Sequence, residues 1–284
     1  MASQFTVACI QNRAGPELAE NLRDSEALCR EARGEGADLI CLPEFFSCLD
    51  VHDSGFEVGA SAEEGHPALD RFRALAAELD AWILLGSLGV LADTGKTRNR
   101  SFMIDASGGI VTRYDKIHLF DVDLSRRESY RESDLIEGGG EAVLAPTPWG
   151  LMGLSVCYDL RFAGLYRALA QGGASFLSVP AAFTKTTGEA HWHVLLRARA
   201  IETGSYVFAP CQFGTHGKGV TYGHSLIVDP WGEVLADGGE GRGVITAEID
   251  TAKVESARRR IPALTHDRPF AGPHPAAVTG VAGE

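Results

Sequence analysis

The sequence lacks the features that mark several specialised classes of protein. No apolar run reaches the roughly 18 residues that a membrane-spanning helix requires, and the opening residues MASQFTVACIQ contain no basic segment leading into an apolar one. Acidic residues outnumber basic ones by 38 to 26, a net charge of −12 that disfavours nucleic acid and anionic membrane surfaces as partners. We therefore expect a soluble, cytoplasmic protein with neither kind of partner.

The chain also lacks the motifs that hold metals, nucleotides or disulfides. Its six cysteines are scattered without a CxxC pair, which is typical of reduced thiols inside a cell. No ligand set has zinc-like spacing, and His191 and His193 stand two apart on a predicted helix, facing different directions. There is no GxxxxGK[ST] loop and no GxGxxG after a strand. The sequence thus predicts no metal and no cofactor.

What is present is an alternation of short apolar strands and amphipathic helices. The patterns predict hairpins as well as crossovers, and strands buried on both faces, which favours an α/β fold of mixed sheets with helices outside. No linker-like segment divides residues 1–284, so we expect one domain, with residues 261–284 as an extended tail. Three local expectations bear on the site. The periodicity predicts a strand over 151–156 and a helix over 191–201. Residues 117–140 show little periodicity of either kind, so we expect a functional loop there.

Three chemically useful side chains follow predicted strands. Glu44 comes after ADLICLP, Lys116 after IVTRYD and Cys157 after GLSV. Because ligands of open α/β sheets bind at the carboxyl ends of strands, these three side chains are expected to converge on one crevice. Each alone has an ordinary explanation, since strand-end Glu and Lys are usually solvated and a free cysteine is usually a small core residue. Together they supply a base, a cation and a thiol.

This set predicts nucleophilic hydrolysis of an amide. A thiol is mostly protonated at neutral pH, so Glu44 would accept its proton while Lys116 favours the thiolate. Lys116 and the backbone N–H of Tyr158 would stabilise the oxyanion. The alternative is a Cys–His pair, for which the sequence offers the candidates His191, His193, His216 and His224.

The same stretches resemble a known family. PEFF with Glu44, YDKIHLFDVD with Lys116 and SVCYDLRF with Cys157 resemble the Glu–Lys–Cys signature of the nitrilase superfamily of carbon–nitrogen hydrolases. The likeness extends through AAFTKTTGEAHWHVLLRARAIE, YGHSLIVDPWGEVLA and RRRIPALTHDRP, which are most similar to the branch of ω-amidases and deaminated-glutathione amidases. The resemblance implies an α-β-β-α sandwich, cofactor-free amide hydrolysis through a cysteinyl thioester, and homodimers or larger homo-oligomers.

The resemblance also implies roles for individual residues. Glu44 would be the base, Lys116 the oxyanion cation and Cys157 the nucleophile. A second glutamate is expected after the lysine motif, where Glu132 in YRESD fits best and Glu128 is its rival. It would orient Lys116 and assist proton traffic, unless it is simply a solvated loop acid.

Residues that would bind the substrate are expected near Cys157. Arg161 could clamp a substrate carboxylate, or form a structural ion pair with Asp159 or a loop acid. Phe183 and Thr187 resemble the family's pocket-lining stretch, although Phe183 could equally be core. One departure is FAGL, with Gly164 where the family commonly has glutamate.

The sequence therefore predicts an amidase acting on a small carboxylate-bearing metabolite of the deaminated-glutathione or α-keto acid monoamide type. Two alternatives remain open. One is an N-carbamoyl amino acid amidohydrolase using the same residues, and the other is a non-catalytic binding protein with the same fold.

Overall fold

The computed structural model describes residues 4–52, 55–125 and 128–272. In chain order its strands are β1 (Gln4–Gln11), β2 (Leu39–Cys41), β3 (Asp50–His52), β4 (Gly55–Glu57), β5 (Trp82–Leu91), β6 (Thr97–Ile104), β7 (Ile110–Asp115), β8 (Asp121–Ser125), β9 (Glu128–Arg131), β10 (Leu144–Thr147), β11 (Gly150–Gly153), β12 (Ala174–Ser178), β13 (Tyr206–Ala209), β14 (Phe213–His216), β15 (Gly219–Tyr222), β16 (Leu226–Val228), β17 (Val234–Asp237) and β18 (Gly243–Asp250). The helices are α1 (Leu18–Gly34), α2 (Pro67–Leu79), α3 (Glu132–Leu135), α4 (Ala163–Gln171), α5 (Lys185–Thr203) and α6 (Ala252–Arg260), with 3₁₀ segments at Cys157–Arg161 and Ala263–Thr265.

Two six-stranded mixed sheets carry the fold. The first has the order β18-β1-β2-β5-β6-β7 and the second the order β10-β11-β12-β13-β16-β17. At the centre of each, three strands run parallel, and antiparallel neighbours extend the sheet on both sides. The parallel centres have short, almost wholly buried strands, as expected where both faces of a sheet are covered.

The two sheets pack face to face between outer helices. Phe5 of β1 stacks on Trp149 at 4.3 Å between ring centroids and meets Phe176 of β12 edge-on at 5.4 Å. Side chains on the other face of the first sheet form a second apolar cluster with α1 and α2. Helices α4 and α5 cover the second sheet. The predicted α-β-β-α sandwich is thereby confirmed.

The outer helices follow directly from their residues. In α1 the buried positions recur every three or four residues and form one mostly apolar stripe, in which the polar members Asn21 and Ser25 are hydrogen-bonded: Asn21, Leu22, Ser25, Leu28, Cys29 and Ala32. Helix α2 begins with Pro67, whose fixed φ suits the first helical position, and ends at Leu79, followed by Asp80 as a C-cap in the left-handed conformation. These two helices leave the inner face of the first sheet free to pack against the second.

The expectation of a patternless loop over 117–140 was wrong in part. The segment contains the hairpin of β8 and β9 and the short helix α3, which begins at Glu132. Their outward residues are polar and the elements are short, so apolar periodicity gave too weak a signal to predict them. The segment nevertheless contributes Glu132 to the cleft that Glu44, Lys116 and Cys157 also line.

Two other predicted boundaries also differ. Helix α5 begins at Lys185, six residues before its predicted start, because Gly188 lets the helix approach Tyr222 so closely that an added Cβ would lie 2.3 Å from that ring. Packing here outweighs the low helix propensity of glycine. Strand β11 ends at Gly153, three residues before its predicted end. The hairpins β3–β4 and β14–β15 were not predicted at all.

The predicted tail is described only to residue 272, and residues 273–284 lie outside the described residues. Its first part lies against α4, where Gln171 Nε2 donates to Leu264 O at 3.2 Å and to Asp267 Oδ2 at 2.6 Å. Over the described ranges, no helix combines the length and apolar character needed to cross a membrane.

Candidate active site

The three predicted residues meet in one cleft at the edge of the sandwich. Strands β2, β5 and β7 point in the same direction, so the segments after β2 and β7 carry Glu44 and Lys116 to the same edge of the first sheet. Cys157 follows β11 of the second sheet and faces them, and all three line the cleft. The structure therefore brings together three side chains that lie up to 113 positions apart in the sequence, from residue 44 to residue 157.

Lys116 is the centre of a buried ionic cluster. Its Nζ lies 3.0 Å from Glu44 Oε1 and 2.8 Å from Glu132 Oε2, and all three side chains are at most 4% exposed. Burial lowers the pKa of Lys116, but the Glu132 and Glu44 carboxylates outweigh it and hold that pKa well above its ordinary range. The ammonium therefore keeps its charge inside the protein.

The two carboxylates are held by further donors. Glu44 Oε2 accepts the Ala182 N–H at 2.8 Å, and Glu132 Oε2 accepts the Phe120 N–H at 2.6 Å. Burial raises the pKa of Glu132, Lys116 opposes this, and the nearby Glu44 charge adds to it, so the pKa stands above its ordinary value. The cluster is thus satisfied by hydrogen bonds on every charged member, the condition under which buried ions are tolerated.

Asn99 is a member of this cluster that the sequence interpretation missed. Its fully buried amide donates from Nδ2 to Glu44 Oε1 at 2.8 Å and to Glu132 Oε1 at 3.2 Å, joining the two carboxylates. A signal was available: inward positions of β6 alternate with outward arginines and are Thr97, Asn99 and Ser101. Polar side chains on the buried side of a strand need partners, and here two of the partners are the acids of the site.

Cys157 occupies a left-handed backbone conformation with φ 48°, which is uncommon for a residue with a Cβ. Its N–H donates to Pro180 O at 2.9 Å. Burial raises the pKa of the thiol well above its ordinary value, and the Glu44 carboxylate raises it further while Lys116 partly offsets both. The resting state is therefore a neutral thiol beside a carboxylate that can accept its proton.

Asp159 holds the turn that carries Cys157. Its fully buried carboxylate accepts the Val156 N–H at 2.8 Å and the Tyr114 hydroxyl at 2.7 Å on Oδ2, and the His118 N–H at 3.0 Å on Oδ1. The nucleophile turn is thus tied to both ends of the YDKIH segment around Lys116. The sequence placed Asp159 next to Cys157 but did not assign it this positioning task.

Above the ionic cluster, the cleft is mostly apolar and has a volume of about 690 Å³ including its open mouth. Phe183 and Thr187, both predicted as pocket residues, line it. Phe183 also packs against the buried Trp192 with ring centroids 4.8 Å apart, so it belongs to the pocket wall and to the core at once.

Arg161 lies beside this wall rather than in an ion pair. Its guanidinium carbon stands 5.5 Å from the centre of the Phe183 ring and 5.8 Å from that of Tyr158, and Nη1 approaches His191 Nδ1 at 3.3 Å. No carboxylate of the described residues pairs with it, and Asp159 bonds elsewhere. The structural ion pair considered as the alternative is therefore absent from the described part of the chain.

The remaining predicted alternatives are also placed. Glu128 accepts hydrogen bonds from Tyr130 and Thr186 at 3.3 and 3.2 Å, whereas Glu132 contacts Lys116. His216 lines the cleft, but Nδ1 is bonded to Ala14 O at 2.7 Å and Nε2 to Thr221 Oγ1 at 2.8 Å. Because both ring nitrogens are occupied by these hydrogen bonds, neither is free to act as the base of a Cys–His pair. Burial also lowers the pKa of His216.

Comparisons with known proteins agree with this geometry. The chain matches the carbon-nitrogen hydrolase family over residues 6–259. It is 40% identical over 268 residues to a deaminated glutathione amidase of Synechocystis, covering 92% of this chain and 97% of that protein. Among solved structures, the NitFhit protein of C. elegans aligns with a TM-score of 0.84 and 34% sequence identity. The alignment covers 94% of this chain and 66% of the NitFhit chain, so this chain spans just under two thirds of that protein.

A second solved structure concerns the cysteine. A mutant of the amidase from Nesterenkonia sp. AN1 aligns with a TM-score of 0.76 and 25% identity, covering 90% of this chain and 94% of that one. It shows covalent addition of the acetamide moiety of fluoroacetamide at the active-site cysteine of that enzyme.

Proposed function

Since the chain belongs to the carbon-nitrogen hydrolase family of the nitrilase superfamily, we propose that Cys157 is the nucleophile with which it hydrolyses small linear amides. The chain is a hydrolase of carbon–nitrogen bonds other than peptide bonds, as the sequence resemblance implied. The observation that carries the assignment is the buried Lys116, bound by Glu44 and Glu132 at the base of the cleft that Cys157 lines.

The first half of the reaction forms a thioester. Glu44 accepts the thiol proton of Cys157 as the sulfur attacks the amide carbon, and the C–O π electrons move onto oxygen. That oxyanion is stabilised by the Lys116 ammonium and by the Tyr158 N–H, which forms no hydrogen bond with the described residues. The oxyanion then collapses, the C–N bond breaks, and Glu44 returns the proton to the departing ammonia.

The second half regenerates the thiol. Glu44 takes a proton from a water molecule that attacks the thioester carbon, and Lys116 again faces the oxyanion. Collapse breaks the C–S bond, releases the carboxylic acid, and returns the proton to the sulfur. In this scheme Glu132 and Asn99 do not touch the reacting atoms. Glu132 positions the Lys116 ammonium, and Asn99 positions the Glu44 carboxylate.

For the substrate, we propose a small monoamide with a free carboxylate, of the deaminated-glutathione or α-keto acid monoamide type. Arg161 supports this, because its guanidinium lies against two pocket residues without a carboxylate partner among the described residues. Arg161 does not itself line the cleft, but an arginine in that state can bind a substrate carboxylate bidentately. The apolar walls would contact the rest of the acyl chain.

We further propose that the enzyme works in the cytoplasm as a homodimer or larger homo-oligomer. The free state of its cysteines is consistent with a reducing compartment. Size-exclusion chromatography with light scattering measures the subunit number, and a mass of one 30.3 kDa chain would contradict the proposal.

The function is tested by ammonia release from a panel of monoamides and ureido acids, using the wild type and Cys157→Ala. We expect release from carboxylate-bearing monoamides and none from the variant. Wild-type rates in Cys157→Ala would reject the nucleophile, whereas preference for ureido acids would favour an N-carbamoyl amino acid hydrolase. Cys211→Ala is a matched control, because Cys211 is another fully buried thiol that does not line the cleft.

A further inference from the structure

A second group of functional side chains lies on the outer side of α5. It consists of His193 in α5, His224 just before β16, and Asp237 at the end of β17, three residues that come from separate elements. His193 Nε2 lies 3.1 Å from Asp237 Oδ2, and His224 Nδ1 lies 2.9 Å from Asp237 Oδ1. All three ligand atoms lie within 4.8 Å of one another.

The backbone holds these side chains in place. His224 is in the left-handed conformation with φ 50°, where its N–H donates to Gly239 O at 2.6 Å and its O accepts the Trp192 indole N–H at 2.7 Å. Trp192 is buried and directly precedes His193, so the same contact fixes both histidines. A non-glycine residue in this conformation is costly, and such strain is typical of positions with a specific task.

Asp237 supplies the negative charge of this group. Its Oδ1 also accepts the Gly239 N–H at 2.9 Å, so the carboxylate is held in place beside the two histidines. The histidines are 21–34% exposed, leaving room for water beside them.

We propose that His193, His224 and Asp237 bind a divalent transition-metal ion, with Zn²⁺ the best match, and that water completes its coordination. Two imidazoles and a carboxylate are a common zinc ligand set. Ligand atoms at about 2.0–2.2 Å from a tetrahedral zinc lie roughly 3.3–3.6 Å apart. The observed separations need only small side-chain movements to reach that geometry.

The site is separate from the reaction cleft but adjoins its wall. The Tyr222 ring stacks on the His224 ring with centroids 4.5 Å apart, and the preceding residues of β15 line the cleft. A bound ion would tie α5 to β17 and to the segment that continues from β15. We therefore expect the ion to stabilise this wall, and we assign it no step in amide hydrolysis.

The test is calorimetric titration of the EDTA-treated full chain with Zn²⁺. Because thiols also bind zinc, the parent protein for this experiment is Cys157→Ala. We expect one saturable site per chain with a Kd of about 10 µM or lower, and a higher thermal midpoint when zinc is present. His193→Gln, His224→Gln and Asp237→Asn should each weaken binding by about tenfold or more.

His191→Gln is the matched control, because His191 lies on the same helix but outside the cluster, and it should bind zinc as the parent does. Co²⁺ in place of Zn²⁺ should give a visible spectrum without thiolate charge-transfer absorption. The proposal is overturned if no saturable site below about 1 mM exists, if the cobalt spectrum shows thiolate ligands, or if His191→Gln weakens binding as much as His193→Gln. In those cases the three residues form only a hydrogen-bonded triad.

Discussion

The cluster around Lys116 in the cleft and the group of His193, His224 and Asp237 beside α5 both contain carboxylates paired with basic side chains, but their surroundings are opposite. In the cleft, Lys116 supplies the positive charge from within the chain, and the acids are nearly excluded from water. On the outer face, Asp237 meets two histidines that remain partly solvated. Only the buried cluster must balance its charge internally, since an uncompensated ion there cannot be screened by solvent.

This difference means that changes of charge should have large effects in the cleft and small effects at the surface. It also explains why the buried cluster has so many backbone donors, from Ala182 and Phe120, beside the side chains themselves.

Removing the buried cation should have the largest effect. Lys116→Met leaves two buried carboxylates without their cation and the oxyanion without its positive donor. We expect ammonia release to fall by about a thousandfold or more, and the free energy of unfolding in urea to fall by about 3 kcal/mol. The exposed Lys185→Met is the control and should change stability by less than about 0.5 kcal/mol. Equal effects of the two substitutions would contradict the contrast between the clusters.

Adding a carboxylate to the buried cluster should be nearly as harmful. Asn99→Asp removes the donor that joins Glu44 to Glu132 and places a like charge beside both carboxylates, which disfavours the ionised form of Glu44, the base of the mechanism. Because a base must be ionised to act, the acid limb of the kcat/KM profile should move to higher pH by about one unit, which lowers activity at pH 7 by at most about tenfold. Loss of the Asn99 donor should also misorient Glu44 and lower the plateau of the profile, so activity at pH 7 should fall by about a hundredfold in all. Ser101→Ala changes an inward neighbour on β6 that bonds only to backbone, so its acid limb should not move.

The two candidate acids of the lysine segment can be separated by a matched pair. Glu132→Gln keeps the shape of the side chain but loses the charge beside Lys116, so kcat should fall by about a hundredfold with little change in KM. Glu128→Gln, whose partners are Tyr130 and Thr186, should change kcat by less than about threefold. The reverse ranking would assign the second acid to Glu128.

The smallest effect is expected where charge is added in solvent. Gly164 is the second residue of α4, and a Cβ there meets no atom within 4 Å. Gly164→Glu should therefore raise the free energy of unfolding by about 0.5–1 kcal/mol, through helix propensity and the helix dipole, and leave kcat unchanged. Gly164→Ala measures the contribution of helix propensity alone to the free energy of unfolding, because alanine carries no charge. A loss of activity in Gly164→Glu alone would show that this position communicates with Arg161.

Several parts of the fold and site were predictable because their physical signals are local. Apolar periodicity predicted most strands and helices, and the strand-end positions of Glu44, Lys116 and Cys157 predicted a common crevice. The β3–β4 and β14–β15 hairpins gave no such signal, because three- and four-residue strands hold too few alternations. Early residues of α5 were missed because their helical state depends on the contact between Gly188 and Tyr222.

The partners within the site could not be predicted from spacing. Asn99 reaches acids 55 and 33 positions away, and Asp159 reaches Tyr114 across 45 positions. The group of His193, His224 and Asp237 was likewise invisible, since a search for short ligand spacings does not join residues from three elements. The sequence favoured Glu132 over Glu128 as the acid beside Lys116, and Glu132, at the start of α3, is the one that contacts Lys116.

The most direct test of the central assignment is to trap the acyl-enzyme. The wild type is quenched by acid during turnover of a slowly hydrolysed monoamide and examined by intact and peptide mass spectrometry. The account predicts one adduct per chain, with the mass of the substrate minus ammonia, located on Cys157 and lost on longer incubation. An adduct on another residue, or turnover with no adduct while Cys157→Ala remains active, would contradict it.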